Sequence, residues 1–324
     1  MIQQQHIPHP RKNTVVRHKY LNLLHTVLLL AAMAGLLSLI GWMTAGLAGI
    51  KMAMIAGALI FLFSPRVPPH LVMKAYRARP LTHGSAPRLY AILEELSARA
   101  GLKTLPRLYV QPVAAPNAFA AGTRDNAAIC ISEGLLRILD IRETQAILGH
   151  EVAHIKNNDM QVMGMAGLFN QVTRFMSVTG QVLILFSIPF FLFGGEGIPI
   201  LLFLFLVFAP SLSILFNLAL SRTREFAADL DSARLTGSPM GLIRALSKIE
   251  RIHRQSWRQR LVNPYRMAAP SILRTHPLTS DRIARLESLI PESKREQPRI
   301  QSSVRRAPAR PVILRTPSRR FYFS

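Results

Sequence analysis

The hexapeptide Gly149-His150-Glu151-Val152-Ala153-His154, near the middle of the chain, contains the pattern His-Glu-x-x-His. Residues four apart lie on one face of a helix, so His150 and His154 can present ring nitrogens to one Zn²⁺ ion. Glu151 lies about 100° round the same helix, close enough to act on a water beside that ion. The competing interpretation is a pair of helix histidines spaced by four by chance. A zinc site therefore requires a further ligand elsewhere in the chain.

The composition points to a membrane. The chain has 324 residues and a net charge of +23, a balance that suggests contact with nucleic acid or with an anionic membrane surface. A positive mean hydropathy and long apolar runs favour the lipid bilayer as the partner, and no nucleic acid is expected. The single cysteine, Cys130, excludes an intramolecular disulfide and fits a protein that faces the cytosol.

Two apolar stretches are long enough to cross a membrane twice each. Lys51 is the only charged residue from Thr26 to Phe63, and Glu196 the only one from Phe175 to Leu220. Because a spanning helix needs about 20 residues, these stretches predict four transmembrane helices in two hairpins. The first hairpin turns near residues 45–49. A signal peptide is the competing interpretation of the first stretch, but it lacks a convincing cleavage site.

Basic residues flank the first stretch on both sides, which places both flanks in the cytoplasm under the positive-inside rule. Four crossings then return the chain to the cytoplasm. The predicted organisation has a basic N-terminus, two membrane hairpins, a catalytic domain in two parts and a basic tail. In chain order the segments are 1–22, 23–64, 65–174, 175–220, 221–290 and 291–324, where the hairpins are the second and fourth and the catalytic parts the third and fifth.

The parts between the hairpins predict an α+β fold that is mostly helical. A helix follows Ser85 and Pro87 and ends at Gly101. Short strands at 108–110, 117–122 and 127–131 predict a small antiparallel sheet with one edge strand. Further helices begin near Ser132 and near Ile141, the latter with Asp140 as its N-cap and with the histidine motif inside it. Residues 160–174 are interpreted as the same helix running on towards the membrane surface.

Candidate ligands recur directly after the last apolar stretch. Glu225 and Asp229 are four apart and share one face of a predicted helix. One carboxylate could bind the metal, and the other could accept a hydrogen bond from a ligand histidine and so orient its ring. The alternative is a solvated acidic face balanced by Arg222 and Arg224. The histidine motif upstream favours the ligand interpretation.

The C-terminal tail, residues 291–324, contains nine Lys or Arg, two Glu and repeated prolines without apolar periodicity. This composition predicts disorder. Contact with anionic lipid is one interpretation of the charge. Nucleic-acid binding is another that no motif supports, and a merely solubilising tail is a third.

Together, the motifs resemble those of the HtpX-like family of bacterial membrane zinc metallopeptidases, which is related to the CAAX prenyl-protease group. The resemblance covers about residues 20–290. It is carried, in the family's order, by Asn117-Ala118-Phe119-Ala120, by His150 to His154, by Arg224 to Asp229, and by Thr275-His276-Pro277 followed by Arg282-Ile283.

The resemblance implies a zincin-like catalytic domain with one Zn²⁺ per chain and assigns a role to each motif. The metal ligands would be His150, His154 and Glu225, and the general base would be Glu151. Asp229 would accept a hydrogen bond from a ligand histidine, while His276 and Arg282 would line the site and stabilise the developing oxyanion. The strand of Asn117, Ala118, Phe119 and Ala120 would pair with the backbone of an extended substrate.

The expected protein is an integral endopeptidase of the bacterial inner membrane, with its catalytic domain and both termini in the cytoplasm. Its expected substrates are damaged or misfolded membrane proteins. One alternative is a catalytically silent, zinc-binding membrane chaperone or scaffold, but such a site needs no base at Glu151. The other is a transporter or channel, which would require polar residues in mid-membrane that these apolar stretches hardly provide.

Overall fold

The computed structural model describes residues 12–62, 67–193, 200–262 and 279–290 and two short strand pieces at 314–315 and 320–321. Residues 1–11 of the predicted N-terminal segment 1–22, His276, Glu196 and most of the tail lie outside the described residues. The chain forms two compact units. The apolar unit comprises Met1–Arg66 and Gln161–Thr223, and the sheet unit comprises Val67–Met160 and Arg224–Ser324. The predicted boundaries, which stay predictions, were 64/65, 174/175 and 220/221.

Three helices among the described residues are long and apolar enough to span a membrane. They are α1 (Lys12–Leu62), α6 (Asp159–Leu192) and α7 (Ile200–Thr236). α1 is interrupted at Ala45 and Gly46, where the backbone leaves the helical region and Gly46 has a φ of 55°. A Cβ atom added to Gly41 or Gly49 would collide with the other glycine's carbonyl oxygen, so the backbone folds back on itself here. Four membrane crossings remain a prediction.

α6 and α7 are joined by side-chain hydrogen bonds inside the apolar unit. Pro210 has no backbone N–H, so the carbonyl of Leu206 one turn earlier loses its helical partner. The Ser177 hydroxyl donates to that carbonyl, and the Gln181 amide donates to it at 3.3 Å. Polar side chains of α6 thereby satisfy a carbonyl that an apolar surrounding would otherwise leave unpaired.

The sheet has four strands and is mixed, so the prediction of an antiparallel sheet was wrong. The strands are β1 (Arg79–Pro80), β2 (Arg107–Gln111), β3 (Ala118–Thr123) and β4 (Asn126–Ser132), in the order β1-β2-β4-β3. β3 and β4 form an antiparallel hairpin, and β4 inserts between β3 and β2 and runs parallel to β2. β1 pairs with β2 in the antiparallel sense. The parallel pair arises from the strand order, because β4 and not β3 lies beside β2.

Six helices complete the sheet unit among the described residues. They are α2 (Pro69–Ala75), α3 (Pro87–Ala100), α4 (Glu133–Ile138), α5 (Ile141–Lys156), α8 (Met240–Val262) and α9 (Thr279–Ser288). The predicted helix end at Gly101, helix start near Ser132 and N-cap at Asp140 are confirmed. Gly101 ends α3 in a left-handed conformation, and the Ser132 hydroxyl caps α4. Asp140 and Glu143 form a reciprocal capping box at the start of α5.

α5 is the central helix of the sheet unit, since it packs against α3, α8 and β3 and is buried along most of its length. It ends at Lys156, and Asn158 adopts a left-handed φ of 55° before α6 begins at Asp159. The prediction that this helix runs on through 160–174 was therefore wrong, because those residues belong to α6. Asparagine is one of the few residues with a side chain that accept this conformation at low cost.

The buried thiol of Cys130 gives a test of this packing. Cys130 lies within β4, and burial, followed by the nearby charge of Glu151, raises the pKa of its thiol from 9.0 to about 12. The thiolate is the reactive form, so at pH 8 we expect iodoacetamide to alkylate the folded protein about a thousandfold more slowly than the unfolded protein. Mass spectrometry of timed samples with and without denaturant measures the ratio.

No other cysteine occurs in the sequence, so the signal needs no correction. Because the pKa is raised, the thiol is neutral in both states below pH 9, and only the unfolded chain ionises between pH 9 and about 12. Stability should therefore fall as the pH rises through that interval. Equal alkylation rates for the folded and unfolded chains would contradict the placement of Cys130.

Candidate metal centre

Three donor groups converge where α7 crosses α5. The Nε2 atoms of His150 and His154 lie 3.0 Å apart, and the Glu225 carboxylate lies 3.4 Å from the first ring and 3.5 Å from the second. Each residue offers one ligand atom to a group whose members all lie within 4.8 Å of one another. Two imidazoles and one carboxylate with an open fourth position form the donor set typical of catalytic zinc.

Small residues bring α7 close enough to α5 for this convergence. A Cβ atom added to Gly149 would lie 3.2 Å from the Ser232 hydroxyl and 3.2 Å from the Thr236 methyl group, so glycine permits the close approach. The Ser232 hydroxyl also donates a hydrogen bond to the carbonyl of Ala146, at 2.7 Å. The two helices are thus in contact one turn before His150 on α5 and two turns after Glu225 on α7.

The ring of His150 is oriented from behind by Asp229. The Nδ1 atom of His150 lies 3.0 Å from Asp229 Oδ1, which leaves Nε2 directed at the donor group. Arg282 holds Asp229 through two hydrogen bonds of 2.8 and 2.6 Å. Its remaining nitrogen lies 3.2 Å from Glu225 Oε2. One buried guanidinium therefore contacts both carboxylates that the sequence placed four residues apart.

The ring of His154 has an equivalent carboxylate partner that sequence reasoning missed. Its Nδ1 atom lies 2.6 Å from Asp159 Oδ2. Asp159 is in turn bound by Arg224, whose Nε donates to Oδ1 at 2.6 Å. The same guanidinium donates at 2.8 Å to the carbonyl of Asn157, the C-terminal cap of α5. Each histidine ring thus contacts its own carboxylate, and each of these carboxylates is bound by its own arginine.

Glu151 is the carboxylate of this site that remains available. It is buried, yet it makes no hydrogen bond or ion pair with any residue that the structure describes. After burial, its charge is the second cause of the raised pKa of the Cys130 thiol in β4. A carboxylate that is buried and uncommitted can accept a proton from a bound reactant.

The buried charges of the described site fit a divalent cation. Four carboxylates face two guanidinium groups, which leaves two negative charges in excess. The carboxylates belong to Glu151, Asp159, Glu225 and Asp229 and the guanidinium groups to Arg224 and Arg282, and all six side chains are buried. Since buried charges require compensation, either two protonated imidazoles or one dication balances the site.

The pKa values of His150, His154 and Asp229 reflect this balance of buried charges. Burial disfavours the protonated rings, but the adjacent carboxylates still raise the pKa of both His150 and His154 above the ordinary histidine value. Burial likewise opposes ionisation of Asp229, but the charge of Arg282 keeps its pKa below the usual range. The carboxylates therefore attract positive charge to the histidine nitrogens, where a metal ion would replace the protons.

The predicted substrate strand lies at an edge of the sheet. β3 pairs with β4 alone among the described strands, so its outer edge has no strand partner there. Phe119 is buried and packs against Tyr76, with 4.7 Å between ring centroids, whereas Ala118 and Ala120 lie against the core that contains α5. The Asn117 N–H donates to the Ser132 hydroxyl at 2.8 Å, and the Ser132 N–H donates to the Asn117 carbonyl at 2.8 Å. On the face of β3 towards α5, the side chains of Ala118 and Ala120 are therefore single methyl groups.

Comparison with known proteins agrees with this centre. The family model described as peptidase family M48 matches residues 84–290. The chain belongs to peptidase family M48. The protease HtpX homolog of Kineococcus radiotolerans is 36% identical over 299 residues, which cover 84% of this chain and 98% of that protein. The corresponding protein of Methylibium petroleiphilum is 32% identical and covers 84% and 99%.

Among solved structures, S. mikatae Ste24p is similar with 19% identity and a TM-score of 0.41, over 84% of this chain and 66% of that one. The family match, the HtpX homologues and the three apolar helices together make this M48 chain a membrane protease of the metallopeptidase type.

The structure brings together most, but not all, of the residues that the sequence singled out in this M48 peptidase. His150, Glu151, His154, Glu225, Asp229 and Arg282 meet in one buried cluster, and His276 lies outside the described residues. Sequence reasoning assigned no role to Asp159 and left Arg224 as a possible surface partner. The sequence did contain a signal for the end of α5: the pair Asn157-Asn158, typical of a helix end, stands directly before Asp159.

The position of Arg282 gives a direct test of the charge balance. Arg282→Gln would leave the buried carboxylates of Asp229 and Glu225 without this counter-charge. We expect the free energy of unfolding of the zinc-free protein to fall by about 3–5 kcal/mol, the cost typical of breaking a buried ion pair. Chemical denaturation in detergent measures the change.

Arg244 provides the matched control, since it is an exposed arginine of the same unit. Arg244→Gln should change the free energy of unfolding by less than about 0.5 kcal/mol. If both variants unfolded at the same denaturant concentration as the wild type, Arg282 would not compensate a buried charge.

Proposed function

We propose that this protein is a zinc-dependent endopeptidase of the bacterial inner membrane that cleaves damaged or misfolded membrane proteins. One observation carries the proposal: the convergence of buried His150, partly buried His154 and buried Glu225 beside the uncommitted carboxylate of Glu151. Two imidazoles and a carboxylate form the ligand set of a catalytic zinc ion, and a buried free carboxylate beside it is what a general base requires.

The proposed reaction assigns a step to each of these groups. A Zn²⁺ ion held by His150, His154 and Glu225 would supply Lewis acidity to the scissile carbonyl and the attacking water. Glu151 accepts the proton of that water and returns it to the leaving amine. Asp229 and Asp159 hold the Nδ1 side of the two rings, so that both Nε2 atoms remain directed into the site.

Arg282 and His276 are the proposed groups for stabilising the oxyanion. The Arg282 guanidinium lies 3.2 Å from Glu225, so its positive charge is within the site. A fixed positive charge near the oxygen on which negative charge develops lowers the barrier of acyl transfer.

The proposed substrate is an extended segment of an unfolded membrane protein. The outer edge of β3 can bind a peptide backbone through main-chain hydrogen bonds, which do not depend on the substrate's side chains. Such binding favours broad sequence tolerance, as removal of damaged proteins requires.

The proposed location has the catalytic domain and both termini in the cytoplasm. Basic residues on both sides of the first apolar stretch support this orientation. The basic tail is proposed to contact anionic lipid, which salt would weaken. We propose no nucleic-acid partner.

The proposed function is tested by Glu151→Gln, which removes the base but keeps the size of the side chain. We expect the purified variant in detergent to bind one Zn²⁺ as the wild type does and to cleave unfolded casein at least about 100-fold more slowly. Metal analysis and the appearance of casein fragments are the two measurements.

Glu94→Gln serves as the matched control because Glu94 is an exposed glutamate of the sheet unit that contacts only His83 among the described residues. It should cleave casein at the wild-type rate. Equal cleavage by wild type and Glu151→Gln would refute the assigned base, and a wild-type protein that binds no zinc would refute the metal.

A further inference from the structure

The two ligand histidines have matching surroundings, but only one of them is explained by the helix that bears Glu225. Asp229, which contacts His150, lies one turn after Glu225 on α7. Asp159, which contacts His154, lies instead at the first residue of α6. The position of the second carboxylate, that of Asp159, therefore needs an explanation other than the spacing of residues on α7.

The break between α5 and α6 explains the position of Asp159. On a continuous helix, residue 159 would lie roughly 140° round from residue 154 and could not contact its ring. The left-handed conformation of Asn158 ends α5 and turns the chain, so that the Asp159 carboxylate lies 2.6 Å from His154 Nδ1. The turn therefore brings Asp159 into contact with the His154 ring, which a continuous helix would not allow.

Arg224 fixes this carboxylate in place. Its guanidinium donates twice to Asp159 Oδ1 and once to the carbonyl of Asn157, so it holds both the acid and the end of α5. Arg224 also directly precedes Glu225 in the chain. One buried ion pair therefore connects the segment that carries His154 to the segment that carries Glu225.

We propose that Asp159, held by Arg224, is a positioning residue that orients His154 for the metal, an inference that rests on the zinc-peptidase function proposed above. The Asp159 carboxylate accepts a hydrogen bond from the Nδ1–H of His154. This bond fixes the tautomer in which the Nε2 lone pair is free to bind the metal. A carboxylate in this position also increases the basicity of the ligand nitrogen. Both effects strengthen metal binding without contact between Asp159 and the substrate.

The competing explanation is that the pair of Asp159 and Arg224 only stabilises the fold. Asp231 allows the two explanations to be separated. It is a half-buried aspartate of the sheet unit whose side chain accepts from Asn157 at 3.1 Å and contacts Lys156 and Arg234, but it contacts neither ligand histidine. Asp231→Asn therefore perturbs the same end of α5 without touching the His154 ring.

The experiment uses the full-length protein in detergent, stripped of metal. Zinc affinity is measured by competition with a chromophoric chelator, and the geometry of the site is measured by the visible absorption spectrum after loading with Co²⁺. For Asp159→Asn we expect zinc affinity to fall about 10- to 100-fold and the Co²⁺ bands to shift. Asp231→Asn should keep zinc affinity within about twofold and leave the Co²⁺ spectrum unchanged.

Asp159→Glu keeps the carboxylate but displaces it by one methylene group. We expect its zinc affinity to lie between those of the wild type and Asp159→Asn, with a shifted Co²⁺ spectrum. If Asp159→Asn does not fold, Asp159→Glu decides by its spectrum: shifted bands support the proposal and wild-type bands overturn it. Wild-type zinc affinity and spectrum in Asp159→Asn, or equal losses in Asp159→Asn and Asp231→Asn, would also overturn it.

Failure of the proposed function has a separate signature. If Glu151→Gln cleaved casein at the wild-type rate, the assigned base would be wrong, while the metal affinities of the Asp159 variants would still decide its positioning role. If the wild-type protein bound neither Zn²⁺ nor Co²⁺, both proposals would be overturned.

Discussion

The compensation of buried charge is the constraint on which the centre of this protein depends. Four carboxylates and two arginines are buried around His150 and His154, and an uncompensated charge in such surroundings costs several kcal/mol. Arg224 contacts the carboxylate of Asp159, and Arg282 contacts the carboxylates of both Asp229 and Glu225. The four carboxylates still exceed the two guanidinium groups by two negative charges, which a dication beside the two imidazoles would balance.

Packing makes this charged cluster possible. α5 is enclosed by α3, α8 and β3, so the motif is held on a rigid element and little water reaches it. Gly149 and Ser232 allow α7 to lie directly against α5. A larger residue at position 149 would move α7 outwards, and Glu225 and Asp229 would move with it. The convergence of the candidate donor groups thus depends on a contact that involves none of them.

Sequence reasoning succeeded where the relevant residues lie on one regular element. The spacing of His150 and His154 on α5 and of Glu225 and Asp229 on α7 follows from helical periodicity, and the caps at Gly101, Ser132 and Asp140 follow from local chemistry. It failed for the sheet, because strand patterns give burial but not the order of the strands. The parallel pairing of β2 and β4 depends on which strands are neighbours, and this is decided by packing distant in the chain. The break within α1 was predicted from its glycines, but whether it produces two crossings is not a property of periodicity.

The missed partner of His154 shows the limit most clearly. Helical periodicity was extended past Lys156 because the following residues are also compatible with a helix, and the extension placed Asp159 on a face away from the ring. One residue in the left-handed region reverses that conclusion, since it changes the direction of everything that follows. The same turn presents the Asn157 carbonyl to Arg224, which a continuous helix would have used internally. The end of α5 is therefore part of the metal centre, and an alternative in which Asn158 continued the helix would lose the carboxylate and its arginine together.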